Sequence, residues 1–417
     1  MNLLFEFQKP IRDSEYDTRS LEEAKESRGR FLISEMDLGP DDPARVIITI
    51  NPARQDEFFN LLNNTLEEAE AVNATIDVHY NFAEVESFDF KAVVLSLTGL
   101  QLSTLQDQAG DIIQSIDEDL LREVDETTSS LPAQITPYGV EMVQAPQLWD
   151  SGITGKNVRV CVIDSGINAK HPDFDRKRLN GSKLIGPWKR DRCGHGTHVS
   201  GTIGATNNEH GVVGVAHESN IFSVKVFNRK CAGAYSSTII SAALHCLFHD
   251  AKIINMSLGG PAPSNLESSI YGTLYNDFGI LIIAAAGNAG DASYSYPASY
   301  PSVMSVAAVD SNGIKAPFSQ FNNAVDISAP GVDVQSVKTD SGGTSIATMS
   351  GTSMAAPHVS GVAALLYQAF PKAGAKRIRA AMEKTANDKG DAGRDDEYGW
   401  GIVQAQAAYD CLANNCV

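Results

Sequence analysis

From residue 157 onward, short and almost wholly apolar runs alternate with stretches of helical period. The runs cover 158–163, 221–227, 252–256, 280–286, 303–309 and 325–327. Helical patterns fall at 198–205, 236–250, 266–278 and 359–370. A strand that is apolar on both faces must be covered on both faces, and helical connections between such strands give a parallel sheet. The pattern predicts a three-layer α/β domain with a largely parallel sheet. Sites in such sheets form at the carboxyl ends of the strands.

Before residue 133 the pattern changes. Strand-like stretches at 45–50, 75–82, 88–96 and 112–117 are interleaved with amphipathic helices at 55–70 and 98–108. This βαββαβ order predicts a small α+β domain on a ferredoxin-like plan. Residues 1–42 are charged and without period, which suits a flexible acidic extension. Residues 120–136 are polar and unpatterned, which suits an exposed linker open to proteolysis. The expected organisation is therefore an extension (1–42), a small domain (43–119), a linker (120–132) and a large α/β domain (133–417).

Charge supports that division. The chain has 417 residues and a net charge of −18. Residues 1–132 hold 28 acidic and 10 basic side chains, whereas 133–417 hold 23 of each. The acidic balance argues against nucleic-acid binding, which needs clustered basic residues. No apolar run reaches membrane-spanning length. The first twenty residues are interrupted by Glu6, Lys9 and Arg12 and lack the apolar core of a secretory signal. All six cysteines follow residue 132, and their spacing fits no zinc motif. Cys161 lies inside an apolar run and reads as an unpaired buried thiol.

Candidate chemistry collects at the ends of the predicted strands. Asp164 leaves the first of them in Val162-Ile163-Asp164-Ser165-Gly166, where it is either a cap or a site acid. His195 opens a small-residue helix in Gly194-His195-Gly196-Thr197-His198. His195 and His198 form a metal pair only against the usual pattern, because no glutamate stands between them. Asn288 ends another run in Ala286-Gly287-Asn288, where an amide serves as a turn residue or a donor. Ser353 precedes an apolar helix in Gly351-Thr352-Ser353-Met354 and is either its cap or a nucleophile. Together the four supply acyl transfer: a hydroxyl, a base near neutral pKa, an acid to orient it and an oxyanion donor.

Five blocks, VIDSGI, HGTHVSGT, NMSLGG, AAAGNAG and GTSMAAPHVSG, occur in that order. In them the chain resembles the subtilisin-like serine proteases over nearly all of 133–417. The G-x-S-x-G pattern of α/β-hydrolases is not met, and the acid–histidine–serine order differs from theirs. The resemblance implies a serine endopeptidase made as a zymogen, with Asp164, His195 and Ser353 as triad and Asn288 in the oxyanion hole. It implies that Ser257, Leu258, Gly259 and Gly287 line the substrate cleft, with broad specificity and an apolar residue before the cut. It also implies structural calcium held by Gln134, Asp173, Thr206, Asn208, His210 and Val212. The small domain resembles the family's propeptide, an intramolecular inhibitor, with autocleavage between about 121 and 132. A Cys193–Cys231 bridge, protein substrates, a monomer and an extracellular location complete the expectations. The competing reading is a catalytically inactive binding protein on the same fold.

Overall fold

The computed structural model describes residues 43–70, 77–81, 91–119, 121–122, 134–228, 233–339 and 346–417. They form two compact units, the first ending at Ile116 and the second running from Asp117 to Val417. The expected extension (1–42), most of the cleavage region and Cys231 lie outside the described residues.

The first unit follows the βαββαβ order. Its strands are β1 (Pro43–Ile50), β2 (Asp77–Asn81), β3 (Lys91–Thr98) and β4 (Ile113–Glu118), and its helices are α1 (Gln55–Glu70) and α2 (Gly99–Ala109). The sheet order is β2-β3-β1-β4, with β1 and β3 antiparallel from Pro43↔Thr98 to Ile50↔Lys91. Val46, Ile48 and Ile50 alternate onto the helix-covered face, where they meet Phe58, Leu62, Leu102 and Leu105. Thr98 closes a reciprocal capping box with Gln101, which starts α2 one residue later than its pattern.

The second unit is built on seven strands in the order β13-β12-β11-β10-β6-β8-β7. Those that position the site are β6 (Arg159–Asp164), β8 (Asn220–Lys225), β10 (Ile253–Met256) and β11 (Leu281–Ala285). The others are β7 (Leu179–Ser182), β12 (Val303–Val309) and β13 (Val325–Pro330). Each neighbouring pair runs parallel. The chain leaves β6 for β8 on one side and later returns to β10 on the other. The carboxyl end of β6 is thus the switch point where an open α/β sheet forms a crevice. Two helices bear on that edge, α3 (His195–Gly204) and α6 (Thr352–Ala369), with α4 (Ser236–Phe248) and α5 (Asn265–Asn276) among the other connections.

Several elements differ from their predicted form. The histidine helix begins at His195 rather than 198, because its first turn is Gly, Thr and His and carries no apolar period. The serine helix begins at Thr352 rather than 359 and runs through Pro357. Proline lacks the N–H that would pair with the carbonyl four residues back, that of Ser353. That carbonyl is satisfied instead by the Ser257 hydroxyl, at 2.8 Å. The short antiparallel pair β14 (Val334–Val337) and β15 (Ile346–Met349) was not predicted, and neither were helices α7 (Gly374–Lys384) and α8 at the C-terminus (Ala405–Ala413).

Two further readings change. Cys161 is not a free thiol. It is bonded to Cys246 of α4, with the Cα atoms 5.7 Å apart, because the helix packs over the strand and brings the two together. Cys411 pairs with Cys416, and Cys193 is also disulfide-bonded. The stretch read as an unpatterned linker carries paired backbone at both ends. There β5 (Leu121–Arg122) pairs antiparallel with β9 (Ala234–Tyr235), and Ile135 pairs with Val212. Asp119 accepts hydrogen bonds from Ser236 Oγ (3.0 Å) and Ser237 N (2.7 Å), at the start of α4. A carboxylate there meets unpaired helix N–H groups.

Candidate active site

Asp164 is the last residue of β6 and His195 the first of α3, and neither side chain is exposed. His195 Nδ1 lies 2.9 Å from both Asp164 carboxylate oxygens. A carboxylate only accepts when ionised, so Nδ1 carries the hydrogen and Nε2 is the basic nitrogen. The contact depends on Gly196. A Cβ there would lie 2.3 Å from the Gly166 carbonyl oxygen and 3.0 Å from Asp164 Oδ1. Only hydrogen at that position lets the helix press against the turn after β6.

Asp191 sets the entry to this helix. Its Oδ1 accepts from Cys193 N and Gly194 N, both at 3.0 Å, and from Ser165 Oγ at 2.9 Å. Its Oδ2 accepts from Thr197 N at 2.9 Å and Thr197 Oγ1 at 2.6 Å. One buried carboxylate thus satisfies donors of the first helical turn while the helix dipole favours its charge. Ser165 Oγ in turn accepts from Gly196 N at 2.9 Å. His198, one turn on, is buried, and burial pulls its pKa down to about 3, so it stays neutral with Nε2 3.0 Å from the Val334 carbonyl.

Ser353 is the second residue of α6 and only 4 % exposed. Its hydroxyl donates to the Ser257 carbonyl at 3.2 Å. Ser257 Oγ accepts from Asn255 Nδ2 at 3.0 Å, and Asn255 Oδ1 accepts from Ser360 Oγ at 2.9 Å. This buried polar chain locks the serine turn of α6 to the end of β10. Buried polar groups must be paired to be tolerated, so the chain also specifies how the helix seats.

Asn288 follows β11. Its Oδ1 accepts from Thr352 N (2.8 Å) and Thr352 Oγ1 (2.9 Å), which settles the orientation of the amide. The position a Cβ on Gly351 would take is 3.5 Å from Asn288 Nδ2 and 3.7 Å from Ser353 N. Two N–H donors therefore lie close to one point beside the serine. Gly287, next to the amide, has φ +109° and donates to Thr352 Oγ1 at 3.1 Å. A Cβ there would overlap Gln320 Oε1. Ser257 and Leu258 are buried at the end of β10, and the following segment is tied at Gly260 to Tyr296 by paired backbone bonds of 2.9 and 2.8 Å.

The six oxygen-bearing residues implied for calcium also gather in one place. The Ile135 N–H donates to the Gly211 carbonyl at 2.8 Å, which seats Gln134 against the loop carrying Thr206, Asn208, His210 and Val212. Asp173 is wholly buried, and burial holds its carboxyl above the usual range. It accepts from Val212 N at 3.0 Å and lies 3.5 Å from Asn208 Nδ2. Gln134 Oε1 is buried without a hydrogen-bond partner. A buried carboxylate and an orphaned amide oxygen suit a hard cation. Among the described residues, no three His, Cys, Asp or Glu side chains converge as in a transition-metal site.

Of the candidate residues, Asp164 and His195 are in direct contact, and Asn288 Nδ2 and Ser353 N lie close to one point. Asp191, Asn255, Ser360 and Thr352 support these residues without standing out in the sequence. Asn255, Ser360 and Thr352 act through partners 64 or more positions away, for which a linear pattern carries no signal, whereas Asp191 caps mainly its own neighbours.

An acid–imidazole pair and a helix-borne hydroxyl at the carboxyl edge of a parallel sheet define an α/β serine hydrolase. Comparison with known proteins narrows the class. The model of the subtilase family matches residues 155–401, and the chain belongs to that family. Subtilisin BL of Lederbergia lenta is 42% identical over 280 residues, which are 66% of this chain and 99% of that protein. M-protease of Shouchella clausii (strain KSM-K16) is 42% identical over the same length, 70% of its own chain. Among solved structures, the psychrophilic subtilisin-like protease Apa1 from the Antarctic psychrotroph Pseudoalteromonas sp. AS-11 superposes with a TM-score of 0.62 at 30% identity. The match covers 68% of this chain and 99% of that one. The protein is a subtilisin-like serine endopeptidase.

Proposed function

We propose that Ser353 is the nucleophile of this endopeptidase, His195 its general base, Asp164 the residue that orients the base, and Asn288 an oxyanion donor. The observation that carries the assignment is the buried Asp164–His195 pair at 2.9 Å, set at the sheet edge that also bears the serine helix. The Ser353 hydroxyl turns from the Ser257 carbonyl toward His195 Nε2, which takes its proton as Oγ attacks the substrate carbonyl. The oxyanion forms between Asn288 Nδ2 and Ser353 N. The imidazolium, stabilised by Asp164, then protonates the leaving amine. Water repeats the sequence in reverse to release the acid. Ser257, Leu258, Gly259 and Gly287 wall the cleft. Pairing through main-chain bonds favours broad specificity, with an apolar residue before the cut.

The oxygen set at Gln134, Asp173, Thr206, Asn208, His210 and Val212 holds a structural calcium ion that ties the strand at Ile135 to the 206–212 loop. It supplies stability and takes no part in the chemistry. Residues 43–119 serve as a propeptide and transient inhibitor, removed by a cut within 121–132. The disulfide between Cys161 and Cys246 favours an oxidising, extracellular compartment. The processed enzyme is a monomer that acts on proteins and peptides.

The test is covalent labelling. A fluorophosphonate should modify Ser353, and Ser353→Ala should abolish both the labelling and the release of the N-terminal unit. Labelling of the alanine variant refutes the assignment.

A further inference from the structure

One buried charge in this site has no place in the acyl-transfer chemistry. Lys225 ends β8, and in the parallel ladder it stands directly opposite Asp164. The residue is only 6 % exposed. Its Nζ donates to the carbonyl of Ser165 and, at 3.1 Å, to the carbonyl of Arg190. These are the backbone neighbours of Asp164 and Asp191. Burying an ammonium ion is costly unless charge and hydrogen bonds compensate it. Here burial pulls its pKa down, the Asp191 and Asp164 carboxylates pull it back up, and Arg192 opposes them.

We propose that Lys225 is a positioning residue for the protease reaction. Its ammonium ion ties the turn after β6 to the segment entering α3, and so holds the Asp164 carboxylate and the His195 ring in register. The inference rests on the catalytic reading above. Three segments meet at this nitrogen. Asp164 orients His195 from the first. Asp191, on the second, caps the helix that begins with His195. Lys225 itself belongs to β8, which is hydrogen-bonded on both sides within the sheet. Without Lys225, the Ser165 and Arg190 carbonyls lose their common donor, and Asp164 and Asp191 lose a nearby positive charge.

The charge also acts on the base. A buried positive charge beside Asp164 makes protonation of His195 harder. Removing it therefore raises the pH at which the base is lost. The charged groups nearest Lys225 are Asp191, Asp164 and Arg192, and His198, one turn along the helix, stays neutral because burial lowers its pKa to about 3.

The experiment measures the pH dependence of the second-order rate of fluorophosphonate labelling. It uses the full chain in whichever processed form accumulates, with wild type, Lys225→Met and Lys225→Arg compared per labelled site. Lys225→Met should label about tenfold more slowly or worse, and its acid limb should move up by about one to two pH units, the scale of a charge roughly 6–12 Å away at an effective dielectric constant near 20. The displacement should persist in about 0.5 M salt, which screens exposed charges far more than buried ones. Lys225→Arg, which keeps the charge, should restore the limb. A Lys225→Met enzyme with an unmoved limb overturns the proposal. So does a pair in which only Lys225→Arg folds, because Lys225 is then a purely structural residue. Labelling that survives Ser353→Ala refutes the catalytic assignment itself, whatever Lys225→Met does.

Discussion

At the scale of single residues, the site depends on amides and hydroxyls whose orientation is settled by neighbours. Thr352 occupies Asn288 Oδ1 with two donors, so the amide nitrogen is turned toward the serine. Asn288→Ala should lower kcat by about 10²–10³ with little change in KM, the loss known for such a donor in subtilisin, since the donor meets charge only in the transition state. Active-site-titrated kinetics on a peptide anilide would check it, and an equal rise in KM would contradict it. The four candidate residues were legible because Asp164 and Asn288 end apolar runs, while His195 and Ser353 stand among small residues at the start of helices. Asp191 was not, although it receives five hydrogen bonds, four of them from the next six residues, because the helix it caps opens without an apolar period to mark its start. Cys161 reads as a free thiol because an apolar strand hides which helix will cover it.

At the scale of elements, helix α3 shows how little the usual helix signals matter when packing decides. It has no side-chain cap of its own from Gly194, which sits at φ +91°, and all ten of its residues are buried. Its apolar period starts three residues late, because that signal needs apolar side chains and this first turn has none. Its glycine permits the approach instead. Gly196→Ala would put a methyl group 2.3 Å from the Gly166 oxygen. The helix must then back away from the β6 turn, lengthening the Asp164–His195 contact. Overpacking of this kind costs about 1–3 kcal/mol. The expected outcome is a lower denaturation midpoint together with at least a tenfold loss of kcat/KM, read on labelled sites. Full activity would show that the helix does not set the pair. Pro357 teaches the opposite lesson. A proline inside a helix reads as a boundary, yet here the carbonyl it leaves unpaired is the one Ser257 binds.

At the scale of the whole molecule, stability should fall in acid. His198 and His358 are buried, and burial lowers their pKa values to about 3 and about 4. In the unfolded chain both return to about 6.5. Between those limits the unfolded state binds more protons. Stability is therefore intact above about pH 6.5 and is lost as pH falls toward 4. Each histidine contributes a slope of about 1.4 kcal/mol per pH unit. Urea unfolding between pH 7 and pH 4 should show this decline, and a flat profile would contradict it. Calcium should act independently. With the ion at about one hundred times its Kd, binding adds about 2.7 kcal/mol. EGTA should lower Tm in the wild type and have no effect in Asp173→Asn. An EGTA-insensitive wild type would remove the calcium assignment.

The sequence by itself determined the layered α/β architecture, the small βαββαβ unit and the identity of the reactive groups. These follow from local rules: the period of apolar side chains, the small residues at strand ends and the chemistry of a hydroxyl, an imidazole, a carboxylate and an amide. Tertiary structure alone decided the disulfide between Cys161 and Cys246, the polar chain from Ser360 to Ser353 and the burial of Lys225 opposite Asp164. Most of these pairings join residues tens to more than a hundred positions apart. Their energy comes from excluding water around partners that meet only when the sheet and its helices close.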